Sequence, residues 1–536
     1  MRLLNHWDNL DGTIERGYNG HSIFWNAGGI DTLRIQEYGA FNQSVGINGT
    51  VLNNVNASPR ILTEAYLDSV QIYANLLRPY GLKVWLSVNF ASPQALGECA
   101  TADPLDSLVQ QWWQQKADQI YARIPDFGGF LVKANSEGQP GPCDFGRTHA
   151  EGANMLADAL QPHGGEVIWR AFVYSATDPD RAKTAYMEFV PLDGQFRDNV
   201  IIQIKNGPID FQPREPVSPL FYGLKKTRTM AELQVTQEYL GHSNHVVFLA
   251  PMWTEFLAEV ARDSATVAVR DFAGVSNVGL SGPGKNLGEA NWYAFGRLAA
   301  DPSLSAEQIA RDWVALRFSG VPAEVQDSLC QMLLISHEAC VDYMMPMGLH
   351  HQFAWGHHYG PEPWTAIRGA RPDWLPSYYH KADAEGIGYD RTVATGSGAT
   401  AQYPAAIAQQ LEDLASCPEK YLLWFHHCAW PEVWNQLGGH YQRGIEAVRH
   451  MQVLWAQAEP HIDAELFASV QACLDCQLKD AIWWKDGMLL YFQSFNHLPW
   501  PEKVEPAEHQ LNDLMHVRLG IDNYTCPSFE LLDSKR

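Results

Sequence analysis

The stretch GGFLVKANSEGQPGP, residues 128–142, places a strand and a charged site side by side. Small and apolar residues run into Lys133, then come Asn135, Ser136 and Glu137, and then glycine and proline break the chain. A short apolar run bounded by turn residues suits a buried parallel strand. A cation and a carboxylate straight after it are costly to bury without partners. The fold therefore turns on whether other strands end the same way.

They do. Runs of the same kind occur at RLLNHWDN (2–9), GINGTVLNN (46–54), LKVWLSVNF (82–90), EVIWRAFVY (166–174), NVIIQIKNG (199–207), MAELQVTQEY (230–239) and NVGLSGPG (277–284). Helical patterns separate them, among them LTEAYLDSVQIYANLLRPYG (62–81), LDSLVQQWWQQKADQIYARI (105–124), with Asp103-Pro104 as its expected cap, HAEGANMLADALQPHGG (149–165) and GEANWYAFGRLAAD (288–301). Eight strand–helix units in about 300 residues predict a (β/α)8 TIM barrel. The competing doubly wound sheet lacks its G-x-G-x-x-G fingerprint. From 316 onward helical patterns dominate, as in PAEVQDSLCQMLLISHEACVDYMM (322–345) and FASVQACLDCQLKDAIWWKDGMLLYF (467–492), so residues 1–315 read as the barrel and 316–536 as a mainly α-helical C-terminal domain. An aromatic, His- and Gly-rich segment at about 345–400 reads as loop, and FHHCAW (425–430) as buried helix.

Barrel active sites form where strands end. Strand three is expected to end at Asn89, strand four at Lys133 with Glu137, strand five to carry Arg170, strand six to end at Lys205 with Asp210 past a Gly-Pro turn, and strand seven at Glu238. Three cations on neighbouring strands suit one anionic group on a small substrate; alternatively they neutralise Glu137, Asp210 and Glu238. One carboxylic acid and one carboxylate are what glycoside hydrolysis needs, the first to protonate the leaving oxygen and the second to activate water or attack carbon.

Composition narrows the partners. A formal net charge of -23 argues against nucleic acid and anionic membrane surfaces. No apolar run is long enough to span a bilayer, and MRLLNHWDNL has no signal-peptide core, so a soluble, cytoplasmic protein is expected. The 19 tryptophans offer faces for sugar stacking as well as core packing. Nine scattered cysteines do not suggest a disulfide scaffold, and Cys473 and Cys476 read as reduced core thiols on a helix. LHHQFAWGHHYGPEPW (349–364) carries four histidines as adjacent pairs, which reads as a loop over the barrel mouth rather than a metal site. LSGPGKN (280–286) lacks the phosphate-loop pattern and reads as a barrel-mouth turn.

GINGTVLNNVNA, GFLVKANSEGQPGP, FGRTHAEGANMLA, QIKNGPIDFQPREP and ELQVTQEYLG together resemble the α-glucuronidases of glycoside hydrolase family 67, as do HYGPEPW and YYHKADAEGIGYDRT near the C-terminus. The resemblance implies removal of (4-O-methyl-)D-glucuronic acid, α-1,2-linked to the terminal non-reducing xylose of xylo-oligosaccharides, with inversion and without metal or cofactor. It makes Glu137 the general acid and Asp210 and Glu238 the water-activating carboxylates. Lys133, Arg170 and Lys205 fall on uronate-binding positions, Val55 and Trp7 on the pocket wall. It suggests a homodimer through the helical domain. The family carries a strand-rich domain ahead of the barrel, whereas this sequence opens at barrel strand one. Altered uronic-acid specificity and a sugar-binding barrel without turnover are the other readings; the three carboxylates together speak against the latter.

Overall fold

The structure, a computed structural model, describes residues 1–172, 179–263, 269–279, 282, 284–521 and 528–535. Among them, eight parallel strands close a barrel: β1 (Arg2–Asn5), β2 (Gly49–Val51), β3 (Lys83–Ser87), β4 (Gly129–Val132), β5 (Glu166–Arg170), β6 (Val200–Lys205), β7 (Arg228–Gln234) and β8 (Phe272–Val275), with β8 pairing back onto β1.

Strand β4 shows why its sequence begins with two glycines. A Cβ on Gly128 would lie 2.2 Å from the ring of Trp85 on β3. Gly129 has φ +140, and a Cβ there would meet the Glu166 carbonyl oxygen of β5 at 1.9 Å. Only glycine satisfies both the backbone angle and the close approach.

The helices begin where local chemistry satisfies their first N–H groups. Thr148 and Glu151 form a reciprocal capping box at the start of His149–Leu160. The helix Ser107–Arg123 is capped by Asp106, whose carboxylate accepts from the N–H of Leu108 at 2.8 Å. The expected cap, Asp103, instead pairs with Arg147 at 2.9 Å. The last strand also differs from expectation: β8 is Phe272–Val275, upstream of NVGLSGPG, of which residues 280, 281 and 283 lie outside the described set, as do Val173 and Tyr174 of the fifth run. The turn expected at 280–286 falls partly on the same residues.

Beyond the barrel, the long helices Ala323–Met344, Trp430–Ala456 and Ala464–Asn496 pack on one another, and helix Ala306–Arg317 crosses the 315/316 position. A division at 315/316 would cut that helix. Cys473 and Cys476 are buried on Ala464–Asn496, as expected. FHHCAW is not one helix: Leu422–Phe425 ends on its first residue, Cys428–Ala429 pairs antiparallel with Gly386–Ile387, and Trp430 opens the next helix. The segment from about 345 to 400, expected as loop, is irregular with short helical turns and folds back over the barrel mouth. Two buried polar anchors hold it. Arg391 pairs with Asp180 at 3.0 Å, both fully buried. Tyr359 donates to Asp480 at 2.5 Å, and Asp480 also meets His245 at 2.6 Å. No helix among the described residues is long and apolar enough to cross a membrane.

Candidate active site

The ends of β4, β5 and β6 deliver the three expected cations to one cavity of about 320 Å³. Lys133 directly follows β4; its ammonium donates to Asn56 at 2.9 Å and to the carboxylate of Glu137. Arg170 closes β5 and donates from Nε to both oxygens of Glu232 at 2.9 Å. Lys205 closes β6 and donates to Asp210 Oδ1 at 2.6 Å. Arg181 lies 3.8 Å from the other Asp210 oxygen. All four converge on one ring: Lys205 stands 3.7 Å, Arg170 4.9 Å, Lys133 5.6 Å and Arg181 5.8 Å from the centroid of Phe172. A fifth cation, Arg16, donates from Nε to Glu238 at 2.9 Å. Carboxylates balance them: Glu15, Glu137, Asp210 and Glu238 line the same cavity, and Glu232 sits buried against Arg170.

The expected neutralisation is thus partly met and partly re-routed. Lys133 answers Glu137 and Lys205 answers Asp210, but Arg170 pairs with Glu232 and Glu238 is served by Arg16 and by His358 Nδ1 at 2.8 Å. Glu238 lies four residues past the end of β7, not at it, and its second oxygen accepts from Gln234 at 2.9 Å. Asp210 also accepts from the Tyr239 hydroxyl at 2.8 Å.

These partners set the proton states. Burial alone would raise all three acids. Against it, Lys205 and Arg181 hold Asp210 well below the usual carboxylate range, and Arg16 with His358 holds Glu238 below it. Repulsion from Asp210 favours the protonated form of Glu238. Lys205 and Arg181 beside Asp210, and Arg16 beside Glu238, outweigh that repulsion and favour the ionised form of both. Burial also opposes ionisation of Glu137, and Lys133, followed by Lys205, overrides it and holds the acid low. Glu137 keeps 41% of its side-chain surface open to the cavity mouth.

Backbone strain gathers at these positions. Glu137 (φ 48), Arg16 (φ 57) and His358 (φ 59) all occupy the left-handed region, costly for residues other than glycine. Glu215 supports the Asp210 loop: its two oxygens accept from the N–H of Ile209 at 2.8 Å and of Asp210 at 2.7 Å. Burial pushes its own acid up to about 8.

Trp7 and Val55 line the cavity as expected, Trp7 with its ring 5.4 Å from the Arg170 guanidinium. Asn89 does not reach it. β3 ends two residues earlier, at Ser87, and the Asn89 side chain accepts from the Ala91 N–H at 3.0 Å and contacts Gln139 at 3.3 Å. Of the four histidines, His351 and His358 line the cavity, whereas His350 stacks on Trp424 at 3.9 Å and meets Arg391 at 3.1 Å. Sequence reasoning did not single out Arg16, Arg181, Phe172, Tyr239 or Glu215. Nor did it find Trp355 and Trp374, 37% and 38% exposed at the cavity rim with rings 5.9 Å apart. Tyr239, Glu215, Phe172 and Trp355 lie inside stretches already picked out, ELQVTQEYLG, QIKNGPIDFQPREP, EVIWRAFVY and LHHQFAWGHHYGPEPW; Arg16, Arg181 and Trp374 carry no local signal.

The chain matches the Glycosyl hydrolase family 67 middle domain over residues 1–281 and the Glycosyl hydrolase family 67 C-terminus over residues 283–505. It belongs to glycosyl hydrolase family 67. It is similar to "Probable alpha-glucuronidase A" of Aspergillus fumigatus, 42% identical over 96% of this chain and 65% of that one. It is also similar to "Alpha-glucuronidase A" of Emericella nidulans, 42% identical over 99% and 67%, and to "Alpha-glucuronidase" of Hypocrea jecorina, 40% identical over 97% and 66%. The family 67 chain thus spans 65% of the length of its Aspergillus fumigatus relative.

Proposed function

We propose that this chain is an α-glucuronidase that releases (4-O-methyl-)D-glucuronic acid, α-1,2-linked to the terminal non-reducing xylose of xylo-oligosaccharides, with inversion. The observation that carries the reading is the meeting, in one cavity, of four cations around Phe172 with three carboxylates in distinct electrostatic settings. A neutral sugar would not need so many cations; a uronate carboxylate uses them, each charged hydrogen bond contributing about 1.5–3 kcal/mol. The names of the relatives support the same substrate class.

In this scheme Glu137, the most exposed of the three, protonates the departing glycosidic oxygen. Asp210 and Glu238, both ionised, hold and deprotonate the attacking water from the other side of the ring. Trp7 and Val55 wall the uronic acid, and the paired Trp355 and Trp374 rings at the rim suit the apolar faces of neutral xylose residues. Turnover of aldouronic acids followed by proton NMR tests the proposal. The β-anomer of glucuronic acid should appear first and the α-anomer only as mutarotation proceeds. A first-formed α-anomer would overturn inversion, and no release of glucuronic acid would overturn the activity.

A further inference from the structure

The cavity is charge-balanced without a ligand. Its five cations face five carboxylates, Glu232 included. Adding one substrate carboxylate leaves a buried negative excess, which is costly in a poorly hydrated site. The excess is removed most readily by a proton on a carboxylate that water can reach. Asp210 and Glu238 are at most 13% exposed and held by several donors each, and Glu232 is fully buried against Arg170. Glu137, at 41%, is bonded by Lys133, whose side chain is 1% exposed and also donates to Asn56, with Lys205 acting on it from farther off.

We infer that the uronate carboxylate, by drawing on Lys133, makes Glu137 take up from solvent the proton that it then delivers to the leaving oxygen. The inference rests on the cavity being a uronic-acid site. The groups facing Glu137 are Lys133 beyond β4, Arg170 at the end of β5, and Lys205 and Asp210 at and after β6. A carboxylate placed among the three cations offsets the attraction that keeps Glu137 ionised, while Asp210 goes on favouring the protonated form. The acid is then loaded only when the correct substrate is present. Lys133 becomes a specificity-determining residue in the chemical step: a glucose ring in the same cavity would leave Glu137 charged and unable to donate. Binding energy alone would not give this discrimination.

The test measures the affinity of D-glucuronate for the intact chain by ligand-observed NMR as a function of pH. Uptake of one proton per ligand makes the association constant fall about tenfold per pH unit, here between about pH 5 and 6, where D-glucuronate itself is fully ionised. Glu137→Gln, a near-isosteric change at a partly exposed position, should bind D-glucuronate with a flat profile. Lys133→Met should flatten it too, because its Glu137 is already protonated before the ligand arrives. A flat wild-type profile with binding retained would overturn this inference and leave the proposed function standing. A Glu137→Gln profile as steep as wild type would mean that another group takes the proton, and would equally overturn it. No binding of D-glucuronate at any pH would overturn both.

Discussion

Arg16→Met isolates the electrostatic support of Glu238. The guanidinium and carboxylate are 10% and 6% exposed and meet at 2.9 Å. Two unit charges about 4 Å apart at an effective dielectric of about 20 attract by about 4 kcal/mol. His358 and Gln234 stay in place and water enters the vacated space, so roughly half of that is felt by Glu238, a rise of about 1–2 pKa units at about 1.4 kcal/mol each. The sign follows from the native state. Arg16 is the leading cause holding the Glu238 acid low. The ionised base therefore persists as pH falls through the ordinary carboxylate range, and the pair stabilises the fold above that range and loses its contribution below it. In the variant the acid limb of the kcat/KM profile on an aldouronic acid should move up by about 1–2 pH units. The melting temperature should fall as well, because a buried carboxylate has lost its cation and the Arg16 bond to the Gly356 carbonyl is gone. A folded variant whose acid limb stays within about 0.3 unit of wild type would refute the assignment of Glu238 as a base tuned by Arg16.

Two further expectations follow from the same geometry. Glu215→Gln replaces one acceptor of the Ile209 and Asp210 N–H groups by an amide that cannot accept, a loss of about 1–3 kcal/mol at a buried site; kcat should fall about tenfold with KM nearly unchanged, and parallel changes in both would show that the residue does not act through Asp210. Removing the rim rings in Trp355→Ala with Trp374→Ala should raise KM on xylose-bearing substrates by about 1 kcal/mol or more while an aryl glucuronide is little affected; equal effects on both would place the pair outside the xylose path.

Much of the barrel was legible because it depends on local rules. Gly128-Gly129, the apolar run after them and the abrupt change at Lys133 follow from what a buried strand beside a packed Trp85 tolerates. The Thr148–Glu151 capping box and the hydrophobic period of the helices are likewise matters of a few neighbouring residues. Strand ends also announced Lys133, Arg170 and Lys205, since a charge that follows an apolar run needs a purpose. Failures came where a local pattern had two outlets. Asp103 and Asp106 can each cap a helix, and the choice was made by Arg147, 44 residues away from Asp103. Residues 272–275 and 277–284 both look like short strands, and closure onto β1 selected the first.

By itself the sequence determined the alternation that closes the barrel and the residue types at its mouth, because both are set by spacing along one strand or helix. Tertiary structure alone decided the pairing of charges. Arg16 comes from the loop after β1 to Glu238 beyond β7, His358 arrives from the C-terminal segment, and Arg170 turns to Glu232 instead of Glu238. Coulomb attraction and desolvation depend on separation in space, not in sequence, so which carboxylate meets which cation is fixed only when the strands and the segment folded over them come together.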